Sequence, residues 1–400
     1  MAYKLIPELY QKLDPSLFAN MISYREATIQ AAPAKEVTAD YPINQLAKAM
    51  HPDVITLVVA DIIDHPGAAS KTYVFNAEDG GPLPYFRAGQ YISLKMQIGD
   101  SFLSRPYSLN SSPKEALAGK YEITIRTNPT GFAADYLLAN VKVGDKFRSS
   151  SPQGFFYYED LRDPYNIIGL AGGSGITPVL SMARAIAEGT EDFNLTIIFG
   201  SRTEEQILFK DEFDELAKCD KIKVIHVLSD EEKEGYEHGF ISADLVKKYM
   251  DGDCSIFACG PEAFYKFLEK ELPKLGLERK NVRYEAKPIT KKVEEDQDFP
   301  DASKGQTYKV TVKQGPNEYV IDAVCNEPLL VAMERAGIKA PSRCRSGECG
   351  WCRSKVTGGF FFVPEVSDFR RWADKKHRYI HPCCTFPCSD MVIEVPFEYL

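Results

Sequence analysis

The sequence predicts a multidomain chain of mixed α/β and β class. An antiparallel β-barrel comes first, a doubly wound parallel α/β domain second, and a small β-rich domain around a cysteine loop last. Three observations carry this. Short β-rich runs separated by Gly, Pro, Asn and Asp turns fill the stretch from Ile55 to Arg148, a spacing that suits a small antiparallel barrel or sandwich. From Asn166 the rhythm changes to strand, helix, strand, as a parallel sheet with helical crossovers demands. Near the C-terminal end, Cys344, Cys349 and Cys352 share one glycine-bearing loop, a density that ordinary packing does not call for.

The first fifty residues read as helical. Asp14 and Pro15 make an N-cap and first-turn pair, and Leu17, Phe18, Met21 and Ile22 form one apolar stripe. A second short helix is expected from Asn44 to Met50, between Pro42 and Pro52. Such an extension either packs on the protein's own surface or docks a partner or second subunit. Met1 to Leu5 shows no basic region followed by an apolar core, so no signal peptide is expected.

The barrel strands are expected at Ile55–Val59, Tyr91–Met96, Tyr121–Thr127 and Lys146–Arg148. Within this region Arg105-Pro106-Tyr107-Ser108 places a cation, a ring and a hydroxyl on one extended segment. These could bind a phosphate, stack on a flat ring and hydrogen-bond its edge. A loop from Asn128 through Gly131 to Tyr136 opens a helix, whose N-terminal amides could take a pyrophosphate.

In the α/β region strands are expected at Ile167–Leu170, Leu195–Phe199, Lys223–Leu228 and Ser255–Ala258. Helices are expected through Ala187, around Phe209–Ala217 and near Ala243–Tyr249. Gly172-Gly173-Ser174-Gly175-Ile176-Thr177-Pro178 lies between the first strand and its helix, the context a dinucleotide-phosphate loop needs. Tyr165 to Ala183 carries no charge, but its glycines and Pro178 argue for a buried strand and loop instead of a lipid-spanning helix. Cys259-Gly260-Pro261 closes the last strand on the ligand-binding edge of such a sheet. Ser201 and Arg202, with Lys210, follow the second strand, where a coenzyme 2′-phosphate would lie if there is one. His226 and His238 read as structural.

From Pro288 to Gly305 the chain is acidic and almost free of apolar residues, which predicts an exposed linker. Strands at Tyr308–Lys313 and Glu318–Val324, a helix at Pro328–Ala336, the cysteine loop and a strand at Met391–Val395 follow. The C-x4-C-x2-C spacing, with a distant fourth cysteine, is the plant-type pattern for a [2Fe–2S] cluster. Glycines let the loop wrap closely and turn amide N–H groups toward the thiolates. Zinc usually takes two short ligand pairs, and tightly spaced loop cysteines make poor disulfides. Cys383, Cys384 and Cys388 compete for the fourth position; adjacent residues on an extended chain point opposite ways, so Cys383 and Cys384 do not both reach the iron.

Hydrophobic residues make up 44% of the 400 and charged residues 26%, with net charge −9, as in ordinary globular proteins. We read no basic run, which argues against nucleic acid or an anionic membrane as main partner. Six of the ten cysteines follow residue 340, a local use that fits a cofactor in a reducing compartment, the cytoplasm.

Residues 53 to 400 resemble the ferredoxin–NADP reductase superfamily, in the order flavin domain, nicotinamide domain, plant-type ferredoxin. The resemblance implies a β-grasp fold for the last domain and boundaries at 1–52 (helical extension), 53–160 (flavin barrel), 161–288 (NAD(P)H domain), 289–304 (acidic linker) and 305–400 (ferredoxin). It implies FAD, with FMN as the alternative, a [2Fe–2S] cluster, and NADH or NADPH. Arg105 would pair with a flavin phosphate, Tyr107 would stack on the isoalloxazine, and Ser108 would hydrogen-bond near its reactive nitrogen. Gly172, Gly173, Gly175 and Thr177 would cradle the dinucleotide. Cys259 would lie near the hydride-bearing carbon and Glu285 near the flavin. Cys344, Cys349, Cys352 and Cys383 would hold the cluster. The chain departs from the family pattern at Ala134, where Ser or Thr is usual, and at Trp351, where a small residue is usual.

A nicotinamide gives two electrons at once and a [2Fe–2S] cluster takes one, so a flavin between them resolves the mismatch. The expected activity is electron transfer from NAD(P)H through flavin and cluster to a redox protein such as an oxygenase component. The alternatives are a self-contained reductase of a small molecule or metal complex, and a redox-sensing protein.

Overall fold

The computed structural model describes residues 15–31, 41–127, 131–285 and 287–398. Helices α1 (Pro15–Ala31) and α2 (Pro42–Met50) account for the N-terminal extension; Asp14 and the side chains of the expected apolar stripe lie outside what is described.

Strands β1 (Ile55–His65), β2 (Ser70–Ala77), β3 (Tyr91–Ile98), β4 (Ser101–Ser108), β5 (Lys120–Arg126) and β6 (Lys146–Ser149) form one sheet in the order β4-β3-β6-β1-β2-β5. All its pairings are antiparallel. Alternation drives the closure: Leu57 and Val59 on β1 and Tyr73 and Phe75 on β2 point into one core with Ile92, Leu94 and Ile123. Helices α3 (Pro113–Leu117) and α4 (Phe132–Asn140) complete the barrel, α3 behind a capping box of Ser112 and Glu115.

The second sheet runs β10 (Glu237–His238), β9 (Ile222–Leu228), β8 (Asn194–Ser201), β7 (Asn166–Gly172), β11 (Cys254–Cys259), β12 (Val282–Tyr284), all parallel. Helices α5 (Thr177–Ala187), α6 (Lys210–Leu216), α7 (Ala243–Tyr249) and α8 (Glu262–Glu271) are interspersed, and separate apolar clusters cover the two faces. Strands buried on both sides explain the near-continuous apolar runs at β7 and β11. Strand order reverses between β7 and β11, and the crevice beyond their C-terminal ends is where such sheets bind ligands.

The third sheet runs β14 (Asn317–Val324), β13 (Thr307–Gln314), β19 (Met391–Glu394), β15 (Ser354–Gly358), β17 (Tyr379–Ile380). Only the β13–β19 pairing is parallel, and β16 (Phe361–Phe362) and β18 (Phe386–Pro387) form a separate antiparallel pair. Helix α9 (Leu329–Arg335) buries Leu329, Leu330, Ala332 and Met333 against it. The acidic stretch before it differs from the expected exposed linker: Val293 and Phe299 are buried with Cys325 and Phe386. Two apolar anchors in a charged segment suffice to tie it down, and a composition average hides them.

Candidate functional site

Antiparallel pairing places Tyr107 opposite Ile92 and Ser108 opposite Tyr91, which fixes the Arg105–Ser108 segment on the barrel. Arg105, Pro106, Tyr107 and Gly131 line a cavity of about 980 Å³ that Cys344 and Cys383 also line. Burial pushes the Tyr107 phenol up, so it stays neutral. Burial and the neighbouring Arg345 bring Arg105 down to about 10, with Glu334 opposing at 3.7 Å; the guanidinium is still charged at neutral pH. Gly131 is the N-cap of α4, and Asn128–Thr130 of the same loop lie outside the described residues.

The structure brings together the three residues expected to be catalytic. Ser108 donates from the barrel to Glu285 Oε1, and the Cys259 thiol donates to Oε2 at 2.7 Å. Glu285 follows β12, and its N–H bonds to Ala258 O at 3.0 Å. Burial raises the Glu285 carboxyl, with the Cys259 and Ser108 hydrogen bonds opposing. Burial and the Glu285 charge push the Cys259 thiol well up, so it is held protonated.

Gly172 ends β7, Gly173–Ile176 make one tight turn, and Thr177 starts α5 with its hydroxyl donating to Ser174 O at 3.1 Å. A Cβ at Gly175 would sit 2.2 Å from Cys259 O, so only glycine lets the loop seat against the Cys259-Gly260-Pro261 corner. At the end of β8 the Ser201 hydroxyl is buried with no partner. Arg202 is exposed, 4.0 Å from Asp230, and Lys210 is paired with Asp214 at 3.0 Å. Sequence reasoning missed Arg126, at the end of β5, whose guanidinium lies over Gly173. Burial and Arg202 both lower it, and a guanidinium held against a glycine loop suits a pyrophosphate.

In the cysteine loop the amides of Ser346 and Cys349 reach Cys344 Sγ at 3.4 Å, and that of Trp351 reaches Cys349 Sγ at 3.4 Å. Cys352 Sγ and Cys383 Sγ are 3.5 Å apart. Thiols with amide donors aimed at them fit a [2Fe–2S] group. Gly347 has φ 85, and a Cβ there would meet Ser367 O at 2.5 Å and Cys384 Sγ at 2.9 Å. Cys384 therefore packs beneath the loop, with its thiol toward His381 O at 3.4 Å, and Cys388 joins the separate cluster around Cys325. The Arg343 guanidinium stacks on Trp351 at 3.4 Å.

A hydrogen-bonded seam, invisible in the sequence, clips this loop to the barrel. Ser104 Oγ donates to Ser342 O at 3.0 Å, Ser93 Oγ donates to Arg343 O at 3.2 Å, and Arg343 donates to Gln153 at 3.3 Å. Glu334 of α9 accepts from Arg345 and lies by Arg105. The expectation of no basic run also needs correction. Arg370 to Arg378 holds five Lys or Arg against one acidic residue, masked by the acidic chain average.

Comparison with known proteins agrees with this geometry. Models of the oxidoreductase FAD-binding domain, the oxidoreductase NAD-binding domain and the 2Fe-2S iron-sulfur cluster binding domain match residues 69–158, 170–270 and 312–388. NADH-cytochrome b5 reductase 1 of Candida glabrata is 30% identical over 227 residues, 55% of this chain and 76% of that protein. The ferredoxin reductase component of 3-ketosteroid-9-alpha-monooxygenase from Mycobacterium tuberculosis is 28% identical over 362 residues, 86% of this chain and 96% of that one. The solved structure of phthalate dioxygenase reductase shares the fold, with TM-score 0.59 and 23% identity over 86% of this chain and 98% of that one. The chain belongs to the ferredoxin–NADP reductase superfamily, as an oxidoreductase with FAD-binding, NAD-binding and C-terminal 2Fe-2S domains.

Proposed function

We propose that the protein passes electrons from NADH through its flavin and [2Fe–2S] cluster to a separate redox enzyme, such as an oxygenase component. One observation carries this reading: the wall with Arg105 and Tyr107 and the loop with Cys344 and Cys383 open into the same cavity. Bound there, a flavin takes two electrons together and gives them up singly. Arg105 would hold its phosphate and Tyr107 would cover its ring, while Glu285 orients the Ser108 hydroxyl and the Cys259 thiol that would face the flavin and the nicotinamide. Because Cys259 stays protonated, it adds no negative charge beside the coenzyme. Gly172, Gly173, Gly175 and Thr177, with Ser201, Arg126 and the Gly260-Pro261 corner, hold the dinucleotide. Cys344, Cys349, Cys352 and Cys383 hold the cluster.

NADH is favoured over NADPH because Asp230 sits beside Arg202, and Lys210 is engaged by Asp214; a 2′-phosphate would meet a carboxylate there. The partner class rests on the name of the mycobacterial relative, which serves a monooxygenase. A reducing compartment, the cytoplasm, suits a chain whose ten cysteines are all free. Among the described residues no helix is long and apolar enough to cross a membrane. Anaerobic addition of NADH to the loaded protein should bleach flavin and cluster absorbance in sequence, faster than NADPH does. Bleaching of the flavin alone would overturn the reading.

A further inference from the structure

The basic segment lies against the cluster loop. The Ser367 carbonyl occupies the space a Gly347 side chain would need. Arg353, next to Cys352, pairs with Asp374 at 2.6 Å and stacks on Tyr379 at 3.4 Å. Inside the segment, Asp368 accepts from Arg370 at 2.8 Å and pairs with Lys375 at 3.0 Å. Burial opposes ionisation of Asp368, but these two cations win and bring it down to about 2. The segment is therefore fixed in place by its inward charges.

Its outward side is unmatched. Phe369 and Trp372 are 49% and 78% exposed, on a helix, α10 (Trp372–Lys376), and the loop before it. The exposed side chains of Arg371, Lys376 and His377 make no hydrogen bond or ion pair among the described residues. Large apolar side chains held out in water beside unpaired cations mark a recognition face. Glu348, Cys349 and Trp351, exposed on the cysteine loop, lie on the same domain, so the positive charge comes from the Arg371–Arg378 side of it. The net charge of −9 makes this local sign more selective.

We propose that this face docks the electron acceptor, an acidic protein whose complementary patch has an apolar centre. This rests on the reading of the cluster loop as the electron outlet. Each NADH supplies two electrons and releases one proton, and two one-electron acceptors are each reduced once. Charge contrast would steer the encounter and the aromatic contact would hold it.

Succinylated cytochrome c, acidic, and native cytochrome c, basic, carry one haem on surfaces of opposite charge, and ferricyanide serves as a small acceptor. In the holoenzyme, Arg371→Glu with Lys376→Glu should raise KM for succinylated cytochrome c about tenfold. The Kd for its direct binding, measured by surface plasmon resonance without NADH, should rise equally. Both contrasts should shrink at high salt, flavin reduction by NADH should not change, and Trp372→Ala should weaken the same Kd without altering its salt dependence. Unchanged KM and Kd in the double variant would overturn the proposal. So would binding of phosphatidylserine vesicles without binding of succinylated cytochrome c, which would give the face to a membrane. Failure of the wild type to reduce ferricyanide would sink the electron-transfer reading, while the binding arm still decides the docking face.

Discussion

The Cys259 thiol donates to Glu285 Oε2 at 2.7 Å, while the Ser108 hydroxyl holds the other carboxyl oxygen. One side chain therefore joins the barrel to the ligand edge of the parallel sheet, where flavin and nicotinamide are expected to meet. Glu285→Ala removes the acceptor from both partners. Flavin reduction by NADH, followed by stopped flow, should slow about 100-fold while flavin content stays unchanged. Because burial raises the Glu285 carboxyl, the ionised acceptor is lost as pH falls through a value above that of an ordinary glutamate. The wild-type rate should show that acid limb and Glu285→Gln should lack it. Equal acid limbs in the two proteins would remove Glu285 from the site.

We propose Cys383 as the fourth cluster ligand on the direction of its thiol. Cys383 Sγ approaches Cys352 Sγ at 3.5 Å, whereas Cys384 turns beneath Gly347. Cys383→Ser should abolish the visible and paramagnetic signature of the cluster. Cys384→Ser should keep it, at a stability cost of about 1–2 kcal/mol for a hydroxyl in a dry position. The opposite pattern would reverse the assignment.

Most of the fold was legible because it rests on local signals. β7 and β11 announced themselves by unbroken apolar runs, the Gly172–Gly175 loop by its place between strand and helix, and the cysteine loop by spacing. What stayed hidden depends on register between distant segments. Nothing near Arg126 says that the end of β5 lies over Gly173, and nothing near Glu334 says that it meets Arg345 and Arg105. The linker failed for a different reason: Val293 and Phe299 are too sparse to set a period, yet both are buried. The Arg370–Arg378 run was legible and was overlooked, because an acidic total charge says nothing about local sign.

Arg184 of α5 reaches across to the barrel, donating to Glu122 at 2.6 Å, to Glu212 at 2.6 and 3.0 Å, and to Asn110 O at 2.9 Å. Burial alone would raise the Glu122 carboxyl, but Arg184 and Lys120 outweigh it and the net shift is downward. A carboxyl with a lowered folded value contributes stability that is present above its unfolded value, about 4.5, and is lost as pH falls through the folded one. Arg184→Met leaves Glu122 and Glu212 without their shared partner and should cost about 3–5 kcal/mol at neutral pH. Urea midpoints should fall accordingly, and their decline on acidification should be flatter in the variant. A wild-type midpoint at neutral pH in Arg184→Met would show that the network contributes nothing.

Glu334 is the only acidic side chain placed between Arg105 and Arg345 among the described contacts. It is buried on α9, and the two guanidiniums repel each other across it. Its charge therefore lets Arg105 and the residue after Cys344 share one small volume. Glu334→Gln keeps the shape and removes that compensation, leaving two cations facing a neutral amide. The hydrogen bonds of Ser104, Ser93 and Arg343 would then carry the contact, at a cost of about 3 kcal/mol. Since Glu334 touches neither Ser108, Cys259 nor Glu285, flavin reduction by NADH should keep its wild-type rate. The following cluster reduction, resolved by its own absorbance change, should slow about tenfold as the approach of loop and cavity loosens. Equal slowing of both phases would mean that Glu334 serves only the fold, and wild-type rates in both would mean that the seam holds the loop without it.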